Sequence, residues 1–304
     1  MRRKKQNIFL LVCLGVVFLF IFLYGLKKAG DLSHSLFFQP PRRLQVAFYN
    51  AHPTVYSFGL QDGLVYAFAF SPEWEFQVPG CYGTYKVGGV GKLSGYDQRP
   101  VLFQHSFSAM SNSMVTHYFY DPAALKTIYF AESNNPVEIF RPTTLEILRY
   151  SSTMSWLDRL YIALLFFKTP SNRVNTITDV PITKNKDAVA LDETRFRTRF
   201  QGLLFDEQLR REKRSIQLIY TKNYNGAETV SHILEGSGAR VVDITDVQSV
   251  RTQKCVVIEE TEPFSQTGQY IARFFHCDLQ KGKTDIYDTI LQLGEIEKQW
   301  EVCE

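Results

Sequence analysis

The clearest pattern along the chain is an unbroken apolar run from residue 8 to residue 26. Nineteen residues at helical rise extend about 28 Å, close to the roughly 30 Å hydrocarbon core of a bilayer. Basic residues flank both ends of the run, with four before it and two after it, and no small-residue cleavage motif follows. We predict a single transmembrane helix at 8–26 that serves as an uncleaved signal anchor, with a cytoplasmic tail at 1–7. A cleaved signal peptide and a buried core helix are the alternatives.

After a polar, proline-containing stretch at 27–43, which predicts a short stalk, the pattern changes to that of β-structure. Short runs of aromatic and β-branched residues alternate with turn residues, and Gln61-Asp62-Gly63 is typical of a hairpin turn. Six glycines between 80 and 95 predict a long loop. The predicted strands are 46–49, 54–58, 64–70 and 115–120.

A helix is predicted at 152–168, where apolar residues recur at helical spacing until Pro170 ends the pattern. It is too short for a second membrane span and contains Asp158 and Arg159, so we expect a buried or interface-lying helix. We expect those two residues to form an ion pair. Together these elements predict a mixed α/β domain at 44–185. The charged segment 186–214 predicts a solvated linker with a surface helix, and contact with an anionic polymer or headgroups is the alternative.

The last 90 residues, 215–304, carry the most regular pattern. Strand-like runs alternate with two amphipathic helical runs in the order β-α-β-β-α-β, which predicts a small sheet with both helices on one face. The fold class expected for the whole chain is therefore α+β, or mixed α/β, with two domains behind a membrane anchor.

Charge and cysteine content narrow the possible functions. Of 34 basic residues, the six that flank the apolar run account for the net charge of +3, because the remaining 28 face 31 acidic residues. A body with that balance is not expected to bind nucleic acid. Four cysteines outside the apolar run are far apart and show no ligand-like spacing, so no metal is predicted. One disulfide among Cys81, Cys255, Cys277 and Cys303 is an option, although the apolar run around Cys255 favours a buried free thiol.

Several short motifs in the last domain occur in a recognisable order. A strand at 216–220 precedes Asn225-Gly226, a helix follows, and the sequence continues with a Gly-x-x-Val strand at 238–241 and an Asp-x-x-x-x-Leu-Gly strand at 288–294. This segment resembles the C-terminal domain of LytR-CpsA-Psr cell-envelope proteins. Residues 70–86, with Val78-Pro79-Gly80 and Lys86, are similar to a degenerate form of that family's catalytic motifs, and 115–121 is similar to one of its strands.

The resemblance implies transfer of a polyprenyl-phosphate-linked glycopolymer to peptidoglycan, with arginines and aspartates around a pyrophosphate and Mg²⁺. This chain departs from that pattern, because Glu73 and Trp74 stand where the family has an arginine, and no aspartate pair is apparent. An acid there would repel pyrophosphate, whose charge arginine neutralises. No catalytic residue and no cofactor are therefore predicted. Three basic residues of the glycine-rich region are candidates for binding a polyanion: Lys86, Lys92 and Arg99.

Two functions compete on these grounds. The first is a non-enzymatic, membrane-anchored extracytoplasmic protein of the cell envelope that binds a wall polymer or an envelope protein. The second is a glycopolymer phosphotransferase with rearranged catalytic residues. Arginines and acids converging on an apolar pocket would favour the second function, and a filled core would favour the first.

The predicted topology is directly testable. A reporter fused after Glu304 should be active only outside the cytoplasm, because the excess of positive charge precedes the apolar run. The mature protein should also retain residues 1–28 when its N-terminus is sequenced. A soluble body that begins near residue 30 would contradict the anchor.

Overall fold

A computed structural model describes residues 35–131, 137–184, 188–221, 224–247 and 254–303. It contains an α+β fold in two domains, each with its own mixed sheet. Within these ranges no helix combines the length and apolar character that a bilayer span requires, and the predicted span at 8–26 lies outside them.

The first domain is built around a five-stranded sheet in the order β6-β1-β2-β3-β7. Strands β1 to β3 form an antiparallel meander, and β6 and β7 add to its two edges in parallel. The hairpin turn predicted at 61–63 lies between β2 and β3, where the Leu64 N–H donates to Asp62 Oδ1 at 2.9 Å. The strands of this domain are β1 Arg43–Tyr49, β2 Thr54–Gly59, β3 Val65–Ala69, β4 Glu75–Val78, β5 Gly83–Lys86, β6 His117–Tyr120, β7 Val174–Ile177, β8 Ile182–Lys184 and β9 Val189–Leu191.

Helices cover both faces of this sheet. They are α1 Val90–Tyr96, α2 Val101–Ser111, α3 Thr144–Arg149, α4 Trp156–Lys168, α5 Glu193–Phe200 and α6 Glu207–Glu212. On one face, Phe166 of α4 makes edge contacts with Phe48, Tyr56 and Phe58 at centroid distances of 4.8 to 5.6 Å. On the other, Tyr49 packs against Phe103 of α2 at 4.7 Å. All seven residues of β1 are buried because the strand has a core on each side.

The glycine-rich region contains strand β5 and helix α1, which corrects the long loop predicted there. Helix α1 spans Val90–Tyr96 and lies against the turn at Pro122–Leu125. A Cβ at Gly91 would lie 2.5 Å from both the Ala124 carbonyl oxygen and the Tyr49 ring. The glycines therefore permit close packing of the helix, and this is why the segment lacks the apolar periodicity that marks most helices.

Part of the charged segment predicted as a solvated linker is folded: Val189–Leu191 and Glu193–Phe200 belong to the first domain, and Glu207–Glu212 packs beside the helix Gln266–Phe275. Strand β9 joins a four-stranded sheet in the order β5-β4-β9-β8, and α5 follows it directly. Phe196 and Phe200 of α5 are buried against Phe68 at 5.7 and 5.4 Å. Two aromatic residues spaced one helical turn apart fix the helix to the core, and its arginines face outward.

Two smaller expectations also need correction. Arg43, predicted to end the stalk, begins β1 and is buried, with its guanidinium 2.6 Å from Asp62. Asp158 and Arg159 do not pair with each other. Asp158 accepts the Leu36 N–H at 2.7 Å, whereas Arg159 donates to backbone carbonyls that include Tyr150 at 2.7 Å. Adjacent residues on a helix point in different directions, so they seldom face a common partner.

The second domain contains a five-stranded sheet in the order β11-β10-β14-β12-β13. Its strands are β10 Ser215–Tyr220, β11 Arg240–Asp246, β12 Val256–Glu259, β13 Asp278–Lys281 and β14 Thr289–Gln292, and its helices are α7 Tyr224–Gly236, α8 Gln266–Phe275 and α9 Glu297–Trp300. The predicted order of elements is present, with β13 in addition. That strand is a mostly exposed, polar edge strand and so lacks a hydrophobic signal.

Both long helices of this domain lie on one face of the sheet, as expected. Strands β10 and β12 run in opposite directions, and each is followed by a parallel crossover to the outer edge of the sheet. Right-handed crossovers of that kind place both helices on the same side. Ile233 of α7 and Ile271 of α8 accordingly share one buried core with Leu218 and Leu291.

Two disulfides, Cys81–Cys303 and Cys255–Cys277, are present, so Cys255 is not the free thiol that was favoured. The first joins the end of the second domain to the first domain across 222 residues of sequence. Trp300 beside it packs on His105 of α2 at 4.4 Å, where burial lowers the pKa of the histidine to about 3.

The shared core of the second domain predicts the effect of a buried charge. Ile271→Asp should destabilise the protein by about 4 kcal/mol or more, because an unpaired carboxylate would replace a fully buried side chain. Urea unfolding followed by circular dichroism measures the loss. Ile286→Asp, at a position that is 84% exposed, is the matched control and should change stability little. Equal effects of the two substitutions would contradict the assigned core.

Candidate functional site

A cleft of about 620 Å³ lies between the domains. One wall comes from β4 and β9 with the start of α5, and the other comes from α7 of the second domain. Asn112, which follows the last residue of α2, also lines it. Its lining combines carboxyl, hydroxyl and amide groups with apolar residues that include Phe76 and Leu191. The cleft is therefore suited to a hydrophilic ligand.

Local sequence signals position the acidic residues of the cleft. Asp192 is the N-cap of α5, and its Oδ1 accepts the Arg195 N–H at 2.9 Å. That cap fixes the first turn of the helix, which carries Glu193 and Arg197. On the facing wall, Glu228 and His232 are one turn apart on α7, with 3.7 Å between Oε1 and Nε2.

Negative charge dominates the cleft. Four carboxyl groups (Glu75, Asp192, Glu193 and Glu228) line it with a single guanidinium, that of Arg197. Burial lowers the pKa of His232 to about 4, with the charge of Arg197 as a second cause, so the imidazole is neutral at pH 7. At neutral pH the cleft therefore attracts cations and repels phosphate groups.

Glu193 has the most altered ionisation of these carboxyls. The residue is exposed to solvent, and the facing walls of the cleft displace part of the water around its carboxyl group. This desolvation raises its pKa to about 7, the negative charge of Glu228 adds to the effect, and Arg197 opposes it. Glu193 is therefore partly protonated near neutral pH and can both donate and accept hydrogen bonds.

Asn112 adds an unsatisfied donor at the same place. Its side chain is 4% exposed, and its amide nitrogen has no hydrogen-bond partner within the described part of the chain. A buried donor without a partner costs about 1–3 kcal/mol. The residue also has a left-handed backbone with φ of 47°.

The three basic residues proposed from sequence do not form a site together. Lys86 ends β5 and is bonded to Glu73, with 2.6 Å between Nζ and Oε2, and this bond raises the pKa of the lysine. Lys92 is exposed on α1. Arg99 lies between α1 and α2, 3.8 Å from Asp97. Neither of the two depressions that Arg99 lines includes the lysines.

The described residues offer little for a metal or a pyrophosphate. Asp62, the one acid noted in the predicted hairpin, is bound to Arg43. Cys81, Glu301 and Cys303 bring ligand atoms within 4.8 Å of one another, but the two sulfurs are joined as a disulfide and supply no thiolate.

Sequence reasoning did not find the cleft because its walls come from both domains. Asp192 and Glu193 lie in the segment that the sequence predicts as a charged linker. An Asp N-cap followed by Phe196 and Phe200 is the local signal of a helix packed on a core. This signal could have located Asp192 and Glu193 at the start of such a helix. Nothing in the sequence indicates that Glu228 faces them.

The raised pKa of Glu193 predicts a pH-dependent contribution to stability. A carboxyl whose pKa rises from 4.5 to about 7 on folding stabilises the fold below pH 4.5, and this contribution is lost as pH rises through 7. The difference in melting temperature between Glu193→Gln and the unmodified protein should therefore shift in favour of the variant when the pH is raised from 5 to 8. Glu295→Gln, at an exposed position outside the cleft, is the control. A difference that is the same at both pH values would contradict the shift.

Comparison with known proteins gives only distant similarities. No protein-family model and no curated protein matches the chain. A Bacillus subtilis structure described as the transcriptional regulator yvhJ is 6% identical, with a TM-score of 0.34, and the match covers 53% of this chain and 96% of that one. Bacillus subtilis TagT is 9% identical over 52% of this chain and 87% of that one, also at 0.34. The Lin1025 protein of Listeria innocua is 8% identical over 52% of this chain and 95% of that one, at 0.32. All three are LytR-CpsA-Psr structures, but similarity this distant does not assign the chain to that family.

Proposed function

We propose that the protein is a non-enzymatic, membrane-anchored component of the cell envelope that binds a neutral or amine-bearing wall glycan in the cleft between its domains. The composition of the cleft carries this proposal. Four carboxyl groups and several threonine hydroxyls line one open space.

The disulfides support an extracytoplasmic location. Both bonds are between cysteines of the predicted exported body. Disulfides persist in oxidising compartments and are rare where thiols are kept reduced. Together with the basic residues before the apolar run, they favour a cytoplasmic N-terminus and a body outside the membrane.

The chemistry of the cleft favours a glycan over an anionic polymer. Carboxylates accept hydrogen bonds from hydroxyl, amide and ammonium groups, and the hydrogen bond that a charged group makes contributes about 1.5–3 kcal/mol. Phosphate groups would meet repulsion from the same carboxylates. The wall polymer is therefore expected to bear hydroxyl, amide or amino groups at the contact.

The arrangement of basic residues supports a binding role over phosphoryl transfer. Glu73, which stands where the resemblance implies an arginine, is bonded to Lys86, so the charge of that lysine is already balanced. The space between the central sheet and α2 is filled by aromatic side chains, among them Tyr49, Phe103 and Phe107. A filled core at this place is what the binding function requires.

Co-sedimentation with purified peptidoglycan sacculi, stripped of anionic polymers, tests the proposal. The full chain in detergent should bind, and Glu228→Lys should weaken binding about tenfold, because one charge-assisted hydrogen bond is replaced by repulsion. Glu295→Lys makes the same charge change outside the cleft and should bind like the unmodified protein.

Two results would contradict the proposal. One is equal sedimentation of the two lysine variants, which would place binding outside the cleft. The other is Mg²⁺-dependent turnover of polyprenyl diphosphate that disappears when Lys86, Lys92 and Arg99 are changed to alanine. That activity would favour the phosphotransferase function.

A further inference from the structure

Helix α4 has apolar residues on two sides, and only one side faces the core. Ile162, Ala163 and Phe166 are buried against the central sheet. Trp156, Leu164 and Phe167 lie on an adjoining side of the helix, and Trp156 and Phe167 are 65% and 84% exposed. A surface helix normally carries polar residues on that side.

Segments that contact this helix carry further exposed apolar residues. Leu145 and Leu148 of α3, which packs beside α4, are also exposed, and so is Phe38. We call these six residues the apolar patch: Phe38, Leu145, Leu148, Trp156, Leu164 and Phe167. Large exposed apolar patches on a soluble surface usually mark a contact with protein or lipid.

The beginning of the described chain is attached to the same helix. The Leu36 N–H donates to Asp158 Oδ1 at 2.7 Å, and the Phe37 ring contacts Tyr161 at 5.2 Å. Residues 27–34 separate this point from the end of the predicted span at residue 26. Eight residues extend at most about 28 Å, so an anchored chain keeps the patch close to the bilayer.

The charges around the patch suit a lipid surface. Lys168 follows Phe167, and Arg149 follows Leu148, and both side chains are exposed. Within the described residues neither has an acidic partner. Basic residues next to exposed tryptophan and phenylalanine are typical of segments that lie in the headgroup region of anionic membranes.

We infer that the apolar patch docks on the outer surface of the bilayer that holds the anchor, so that α4 lies in the membrane interface. This inference rests on the predicted span at 8–26 and not on the ligand of the cleft. Docking restricts how the body can rotate on its stalk and gives the cleft a defined orientation relative to the membrane.

Tryptophan fluorescence in reconstituted vesicles tests the docking. The chain has three tryptophans, and Trp74 and Trp300 are buried, so Trp156 is the one that lipid can reach. The full chain in phosphatidylcholine–phosphatidylglycerol vesicles should lose emission when the acyl chains are brominated. Trp156→Phe should remove that loss, and so should Phe38→Asp combined with Phe167→Asp. Ile286→Asp, on an exposed part of the second domain, should leave it unchanged.

The outcomes separate this inference from the proposed function. Equal emission in brominated and ordinary vesicles overturns the docking, and so does cross-linking through the patch to a second copy of the chain. Protein that fails to float with the vesicles overturns the anchor and the docking together. The variants of the apolar patch should still sediment with sacculi. Glu228→Lys should still lose tryptophan emission in vesicles with brominated acyl chains.

Discussion

The close approach of α2 and α7 at their C-terminal ends is the contact on which the arrangement of the two domains depends. A Cβ at Gly236 would lie 1.7 Å from the Asn112 carbonyl oxygen, so only glycine allows the helices to meet there. Next to it, Ser237 Oγ accepts the Met114 N–H at 2.8 Å, and the Ser237 carbonyl accepts the Asp206 N–H at 2.9 Å. Three segments distant in sequence are therefore joined at one residue, and the cleft opens beside this junction.

The molecule separates its surface chemistry by location. Acidic groups converge where the domains meet, and exposed apolar side chains with basic neighbours lie where the chain enters the first domain. The net charge of the body therefore says little about what it binds, since each surface has its own composition. The lysines and the arginine of the glycine-rich region belong to neither surface.

The elements of the second domain could be predicted from the sequence because the apolar pattern of each one matches the face that it buries. Each helix there has one apolar face, and glycine or proline marks the ends, so local pattern and tertiary packing agree. The first domain was harder for opposite reasons. Helix α1 packs through glycines rather than large side chains, and α5 is held by only two phenylalanines among arginines. The site itself could not be predicted, because the sequence does not show which faces of separate domains come together, and cysteines 222 residues apart give no spacing signal.

The disulfide between Cys81 and Cys303 encloses nearly all of the described chain in one covalent loop. In a protein that is exported from its N-terminus onward, Cys81 crosses the membrane long before its partner. During that interval it is a free thiol in an oxidising compartment, where Cys255 and Cys277 arrive first as competing partners. Pairing of Cys255 with Cys277, only 22 residues apart, before the last residues emerge would leave Cys81 for Cys303. In such a protein, the order in which the cysteines emerge therefore affects which disulfides form.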